Sequence, residues 1–328
     1  MHKYDFITIG GATEDITFYT NEAIIIDNKN DILAQKLMAF EYGAKLKIDR
    51  SYSTFGGGAS NAAVCLSKLG FKTAAIVALG GDNRGKDIIL NFKKNKVNTN
   101  FVQQIKAHET GFTFFIVGND KEHVGFSNRA ANTKLSIGAK ELKEMDKAKY
   151  IYLTSLSGKW REILKNVFKT KAKIAWNPGH IQLHAGIKSI NKFLKKTYIL
   201  TVNKDEAIEL VTSNPAHKKK DKKFLNEIPN LLKAIKNYGP EIVVITNGKY
   251  GAYAYDGEKV YCQKILKEKK RMDTTGVGDA FGSTFAAGME LFKGDIKKAM
   301  LAGVKNTASV IGWQGAQNGL LRRRGIMK

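Results

Sequence analysis

The sequence predicts an α/β fold: a central, mostly parallel sheet among helices, with a smaller sheet standing off it. Three observations predict this. Short β-branched runs alternate with segments of helical apolar spacing, the pattern of repeated βα units. The β-branched runs read as buried strands, each leading into a turn or polar segment. Two stretches, 16–55 and 111–128, break that rhythm with β-branched and aromatic residues.

In chain order, YDFITIGG (4–11) is a first strand ending in glycine. ASNAAVCLSKLG (59–70) has helical spacing and a glycine stop, and TAAIVALGG (73–81) is the next strand. KDIILNFKKNKV (86–97) is helical, with apolar positions 88, 89, 92 and 97 on one side. KYIYLTSL (149–156), KIAWNPG (173–179), YILTVN (198–203) and EIVVITNG (241–248) are further strands. IPNLLKAIKNYG (228–239) is a helix that stops at Gly239, before Pro240. The stretch 16–55 contains ITFYT, AIII and AKLKIDRSYSTF, while GFTFFIVGNDKEHVGFSN (111–128) reads as a hairpin turning on Gly-Asn-Asp. Together they predict a small antiparallel sheet. It is a lid over an active site on one reading, and an edge extension or homodimer surface on the other; one sheet can serve both. No internal repeat or low-complexity linker divides the chain, so 1–328 reads as a single domain.

A length of 328 residues, 43% hydrophobic and 26% charged, is ordinary for a soluble protein with a substantial core. There is no run of about 18 apolar residues, and MHKYDFITIGG reads as a strand rather than a leader, so no membrane partner is expected. Two cysteines, Cys65 and Cys262, without CxxC spacing, fit reduced thiols and a cytoplasmic protein. The balance of 54 Lys+Arg against 30 Asp+Glu gives a net charge of +24. The excess is mostly scattered lysine, and the one dense run, HKKKDKK (217–223), follows Asn214-Pro215 as a solvated loop. No helix-turn-helix, zinc-finger or aromatic RNA-binding motif accompanies it, so no specific nucleic-acid partner is expected. A lysine-biased proteome or an anionic small substrate suits the charge better.

The segment RMDTTGVGDAFGSTFAAGMELF (271–292) carries the sharpest chemical signal. A helix start leaves about four N–H groups without intrahelical partners and bears partial positive charge. Glycines there let a phosphate approach, so Thr274, Thr275, Gly276, Val277 and Gly278 read as an anion cradle. Asp279 would repel that anion if it were only a binder, but suits a general base for a hydroxyl attacking the phosphate. The plainer alternative is a first-turn acid on a core helix. These residues alone leave the two readings even. No His/Cys cluster has zinc spacing, and His180 and His184 read as surface residues.

DTTGVGDAF resembles the C-terminal signature of the ribokinase-like carbohydrate kinases, the phosphofructokinase-B family. FGGGASNAAVCLSKLG (55–70) resembles the N-terminal signature. GGDNRGKD (80–87), NRAANTKLS (128–136), WNPG (176–179), NKDE (203–206) and TNGKYGAY (246–253) follow the family's order over nearly the whole chain. The resemblance implies a three-layer α/β/α sandwich with a β-sheet lid, and an ATP- and Mg²⁺-dependent sugar or nucleoside kinase. It implies Asp279 as catalytic base and Gly276, Val277 and Gly278 as anion hole, with Val277 in place of a usual alanine. Asp15, Gly56, Gly57, Gly58 and Asn61 match acceptor-binding positions, Gly58 departing from the usual lysine, alanine or serine. Asn203 and Glu206 match the N-x-x-E motif linked to Mg²⁺ through water. Thr246, Gly248 and Gly251 match the ATP-phosphate loop, and Asn306 a position bordering the adenine. Asp273, with Ala316 and neighbouring carbonyls, matches a place for a monovalent cation such as K⁺.

Bland alternatives stand beside these: a turn acid for Asp15, a hinge for Gly56–Gly58, and a helix cap for Asn203 and Glu206. Arg129 is either an ordinary surface residue or a clamp for a carboxylate or phosphate of the acceptor. The expected activity is phosphoryl transfer to a sugar or polyol hydroxyl. A nucleoside kinase, with Phe18, Tyr19 or Phe114 stacking on a base, is the alternative, and a non-catalytic anion-binding relative the third reading.

Overall fold

The computed structural model describes residues 2–28, 36–118, 123–218, 220–268 and 271–327. Asn119 and Asp120 of the expected hairpin turn, residues 29–35 of the first interrupting stretch, and Lys219 of the basic run lie outside the described residues.

Eight strands form the central sheet, in the order Val260–Gln263, Ala252–Tyr255, Ile242–Thr246, Ile199–Asn203, Lys173–Trp176, Ala148–Leu153, Tyr4–Ile9 and Thr73–Ile76. The strands from Ile242–Thr246 to Thr73–Ile76 pair in parallel. Ala252–Tyr255 and Val260–Gln263, absent from the sequence reading, close one edge as an antiparallel pair. Parallel pairing needs crossovers, and helices such as Gly58–Lys68, Trp160–Val167 and Gly186–Leu194 supply them. Trp160, Ile163, Leu164 and Val167 are buried at helical spacing, which shows how such a crossover seals one face.

Alternate residues of each strand feed opposite layers, as the two-residue period requires. Ile7, Ile9, Ile151, Leu153 and Trp176 join Ile163, Ile190 and Leu231 in one core. Phe6, Tyr150, Tyr152 and Ala175 join Val64, Phe281, Phe285 and Met300 in the other. The result is the expected three-layer α/β/α sandwich.

The smaller sheet departs from expectation in two ways. Its order is His123–Asn128, Phe112–Val117, Thr13–Tyr19 and Arg50–Gly56. The central pair, 13–19 with 112–117, is parallel, so the sheet is mixed rather than antiparallel. The chain between them runs through two helices and a strand of the main sheet, long enough to return in the same direction. The AIII run is not part of it. Ile24–Asp27 pairs with Lys36–Ala39 in a separate ribbon that leaves Ile24, Ile25 and Ile26 exposed.

TAAIVALGG also divides. Thr73–Ile76 stays in the central sheet, whereas Ala78–Gly80 pairs with Gln103–Ile105. Its neighbour ends at Ile9, where Gly10 (φ 144°) turns the chain toward the small sheet, so residues beyond Ile76 find another partner.

Gly10, Gly11 and Ala12 are thus the whole link from the first strand of the main sheet to the small sheet. Asn132 clasps this link: its Nδ2 donates to the Ala12 carbonyl and its Oδ1 accepts from the Ala12 N–H, both at 3.0 Å, in a buried setting. Asn132→Ala strands both backbone groups and is expected to cost about 2–4 kcal/mol, read as a lower urea midpoint at unchanged slope.

Candidate active site

Cross-strand register brings the carboxyl ends of the parallel strands to one level: Ile9 lies beside Leu153, Leu153 beside Trp176, and Asn203 beside Thr246. Ligands of open parallel sheets bind at this edge. Segments that follow two of these strands, at Gly11 and Ser155–Ser157, enclose a cleft there with small-sheet residues and Gly57–Gly58, and Asp279 at the start of helix Val277–Leu291 lies beside Gly58.

Asp279 lies in the first turn of that helix, but its carboxylate does not cap it. Oδ2 instead accepts from Asn61 Nδ2 at 2.8 Å, across from helix Gly58–Lys68. Gly276 precedes the helix with φ 72°, and a Cβ there would overlap Ala316, so the turn demands glycine. Asp273 ties this turn to the C-terminal loop, its two oxygens accepting from the Thr275 N–H (2.8 Å) and the Gly315 N–H (2.9 Å). The N–H groups of Gly278 and Asp279 have no partner among the described residues, and outside its own turn of helix none of the described residues comes within 4 Å of where a Gly278 side chain would begin. This is an open cradle of donors beside a carboxylate. Crowding by protein pushes the Asp279 pKa up, partly offset by the Asn61 hydrogen bond.

Asp15 faces the same cleft from strand Thr13–Tyr19 and is only 6% exposed. Thr13 Oγ1 donates to its Oδ1 at 3.0 Å. Burial, above all, pushes its pKa up to about 6, with the charges of Asp279 and Asp273 adding. Gly56 packs against the Asp15 carboxylate. Gly57 (φ 86°) lets the chain pass Ala12, whose Cα would lie 2.6 Å from a Cβ. A Cβ on Gly58 would sit 3.2 Å from Asp279 Oδ1, so that oxygen points toward the space Gly58 leaves. Thr13, Asp15, Gly57, Gly58, Thr113 and Arg129 line a cavity of about 130 Å³ at this place. Arg129 is exposed, and no described residue offers its guanidinium a hydrogen bond or a carboxylate.

Asn203 and Glu206 form a reciprocal helix cap: Asn203 Oδ1 accepts from the Glu206 N–H (2.9 Å), and Glu206 Oε2 from the Asn203 N–H (2.8 Å). The capping alternative is therefore the geometry present. Burial first, then Glu209, Asp205 and Asp279, raise the Glu206 pKa. Thr246 ends the adjoining strand, and Gly248 and Gly251 shape the surface turn after it, closed by the Asn247 N–H to the Gly251 carbonyl at 2.8 Å.

Asn306, expected to border the adenine, has its side chain committed within the protein. It is fully buried, with Nδ2 donating to Thr284 Oγ1 (2.7 Å) and Cys65 Sγ (3.3 Å), and Oδ1 accepting from the Leu321 N–H (2.8 Å). Helix Ile296–Val310 turns this face inward onto helix Val277–Leu291, so the amide serves as a buried tie. His180 and His184 are exposed beside Glu209. The Phe18 and Phe114 rings stack on each other at 5.8 Å, and Arg50 covers the Tyr19 ring at 4.1 Å.

Thr13, Thr113, Asn132, Ser155 and Ser157 also line or brace the cavity and were not singled out by the sequence. Thr13 had a usable signal, since it lies two residues from Asp15 on one strand face. Thr113 had none, because its place depends on the parallel pairing with Asp15.

The sequence profile of the pfkB family carbohydrate kinases matches residues 24–323. A ribokinase of Dictyostelium discoideum is 30% identical over 263 residues, covering 74% of this chain and 78% of that one. Among solved structures, Arabidopsis thaliana ribokinase complexed with ribose and ATP superposes with a TM-score of 0.81 at 20% identity, covering 99% of this chain and 97% of its own. The nucleoside kinase of Methanocaldococcus jannaschii gives 0.78 at 19% identity, covering 100% and 98%. A profile match over most of the chain and a ribokinase relative at 30% identity make the chain a member of the pfkB family of carbohydrate kinases, phosphotransferases with a hydroxyl acceptor.

Proposed function

We propose that the protein transfers the γ-phosphoryl group of ATP to a hydroxyl of a sugar or related polyol, with Asp279 as general base. The observation that carries this reading is the placement of the Asp279 carboxylate. One oxygen is tied to Asn61, the other points to the space beside Gly58, and free N–H donors lie next to it. A carboxylate whose pKa is raised is a better proton acceptor than an ordinary one, provided it remains ionised. The backbone at Gly276, Val277 and Gly278 stabilises charge on the phosphoryl oxygens; Val277 alters only a side chain, not its N–H. Asp15, Gly56–Gly58 and Asn61 hold the acceptor, and the small sheet acts as a lid that excludes water.

The open space at Gly278 and its unpartnered N–H fit a phosphate, and Asn203, Thr246, Gly248 and Gly251 lie along the same edge. ATP supplies the phosphoryl group when bound, and Mg²⁺ neutralises phosphate charge. Glu206 would hold Mg²⁺ through water, and Asp273 borders the place for K⁺. The exposed Val124 and Phe126 make the lid the proposed face for a second copy of the chain.

Arg129, unpaired among the described residues and beside the acceptor cavity, supports a sugar acid or sugar phosphate within this class. A nucleoside acceptor is the second reading, supported by the likeness to a nucleoside kinase, although Phe18 and Phe114 stack on each other instead of standing free.

Asp279→Asn is expected to lower turnover by about 10³-fold or more while ATP binding by calorimetry persists; near-normal turnover would sink the base assignment. Across a panel of acceptors, Arg129→Ala should raise KM for an anionic one by about 10–100-fold and spare neutral ones. Equal KM values for anionic acceptors in both proteins would remove the clamp.

Asp15 sets a pH dependence. Its folded pKa of about 6 exceeds the ordinary 3.8, so between these values the folded state holds more protons than the unfolded. Stability therefore falls as pH rises through that window. Asp15→Asn should stabilise the free protein above pH 7, by at most about 3 kcal/mol, while weakening acceptor binding. Urea melts at pH 4 and pH 7.5 check the sign.

A further inference from the structure

A file of side-chain amides leads to the Asp279 carboxylate from Asn95, which caps the C-terminus of helix Asn83–Lys94. Asn95 Nδ2 donates to Asn91 Oδ1 at 3.0 Å. Asn91 Nδ2 donates to Gln317 Oε1 at 2.7 Å. Gln317 Nε2 donates to Asn61 Oδ1 at 3.0 Å and to Ser60 Oγ at 2.9 Å. Asn61 Nδ2 completes the file at Asp279 Oδ2.

Every link runs its donor the same way, toward the carboxylate. An amide offers an acceptor on one side and donors on the other, so the orientation of one member dictates that of the next. Gln317 is 7% exposed and Asn61 5%, which leaves little water to satisfy a reversed amide. The Gln317 backbone is itself held, its carbonyl accepting from Lys68 Nζ at 3.0 Å.

We propose that Gln317 and Asn91 are positioning residues: they keep Asn61 in the one orientation that binds Asp279 Oδ2 and leaves Oδ1 to the acceptor hydroxyl. This rests on Asp279 being the base. If the amide of Asn61 is reversed, an acceptor oxygen faces the carboxylate, and the pair repels instead of bonding. The carboxylate then swings away from the acceptor, and loss of its donor makes its proton harder to release. The other ionisable groups facing Asp279 are Asp15 from the small sheet, Glu206 from the capped helix and Tyr152 from the central sheet. None of them is altered by a change at Asn91.

The decisive variant is Asn91→Asp, isosteric, partly exposed and outside the cleft. An ionised Asp cannot donate to Gln317 Oε1, so Gln317 turns its Nε2 outward and the reversal passes to Asn61. Expected are a fall in kcat of about 10–100-fold, a KM for ATP within about twofold of wild type, and an acid limb of the kcat profile moved to higher pH. Gln317→Glu should behave alike, because it too removes the donor to Asn61. A residue that merely ties the C-terminal loop to the helices would lower the melting temperature and leave the acid limb in place.

A second readout does not depend on turnover. In ¹⁵N-labelled full-length protein the Asn61 side-chain amide protons should exchange slowly with solvent, and at least about tenfold faster in Asn91→Asp. A folded Asn91→Asp protein with unchanged kcat, acid limb and Asn61 exchange overturns the proposal. Should Gln317→Glu not fold, Asn91→Asp decides alone. Should wild type phosphorylate no acceptor, the kinase reading fails, and the exchange measurement still judges the amide file.

Discussion

The 2.8 Å contact between Asn61 and Asp279, whose partners lie 218 positions apart, is the interaction on which the rest of the structure depends. A carboxylate crowded by protein is costly to keep ionised, and a single well-placed donor decides which oxygen remains available. To form that contact, the starts of two helices must approach closely. Gly57 and Gly276, both at positive φ, let their chains turn without the clash a side chain would bring. Further along, the Cys65–Asn306–Thr284 hydrogen bonds hold the same two helices together where water does not reach. The cleft is thus the open end of a packed seam, and its chemistry inherits the rigidity of that seam.

The cleft at the carboxyl edge of the sheet concentrates like charge. Asp15 lines it and Asp279 lies beside Gly58 at its wall, and the charge of Asp279 adds to the cost of ionising Asp15. Arg129 is the countercharge available at the rim, and it stands uncommitted to either acid. Such an arrangement favours an occupant that brings hydroxyl donors to the acids and a negative group to the arginine. The scattered lysines responsible for the net charge of +24 do not supply that pairing among the described residues, where none of them lines the cavity.

What could be read from the sequence was whatever has local causes. Glycines at a helix start, an Asn three residues before a Glu, and apolar runs ended by Gly have meanings that neighbours in the chain already determine. The Asn203–Glu206 cap is of this kind and appears as such. Asn306 shows the opposite case: whether a helix residue faces a ligand or a neighbouring helix depends on packing that its own segment does not encode. The same holds for the parallel pairing of Thr13–Tyr19 with Phe112–Val117, and for the change of partner after Ile76. Gln317 had no signal at all, because its role exists only where Asn91, Ser60 and Asn61 converge.

The link Gly10–Ala12 does more than connect two sheets. The Gly11 carbonyl accepts from the Ala59 and Ser60 N–H groups at 3.1 and 3.3 Å, at the head of the helix that bears Asn61. The small sheet and the head of the helix that bears Asn61 are therefore fastened to the same three-residue link. An acceptor held by Asp15, as proposed, would bear on the same short segment that supports the Asn61–Asp279 contact.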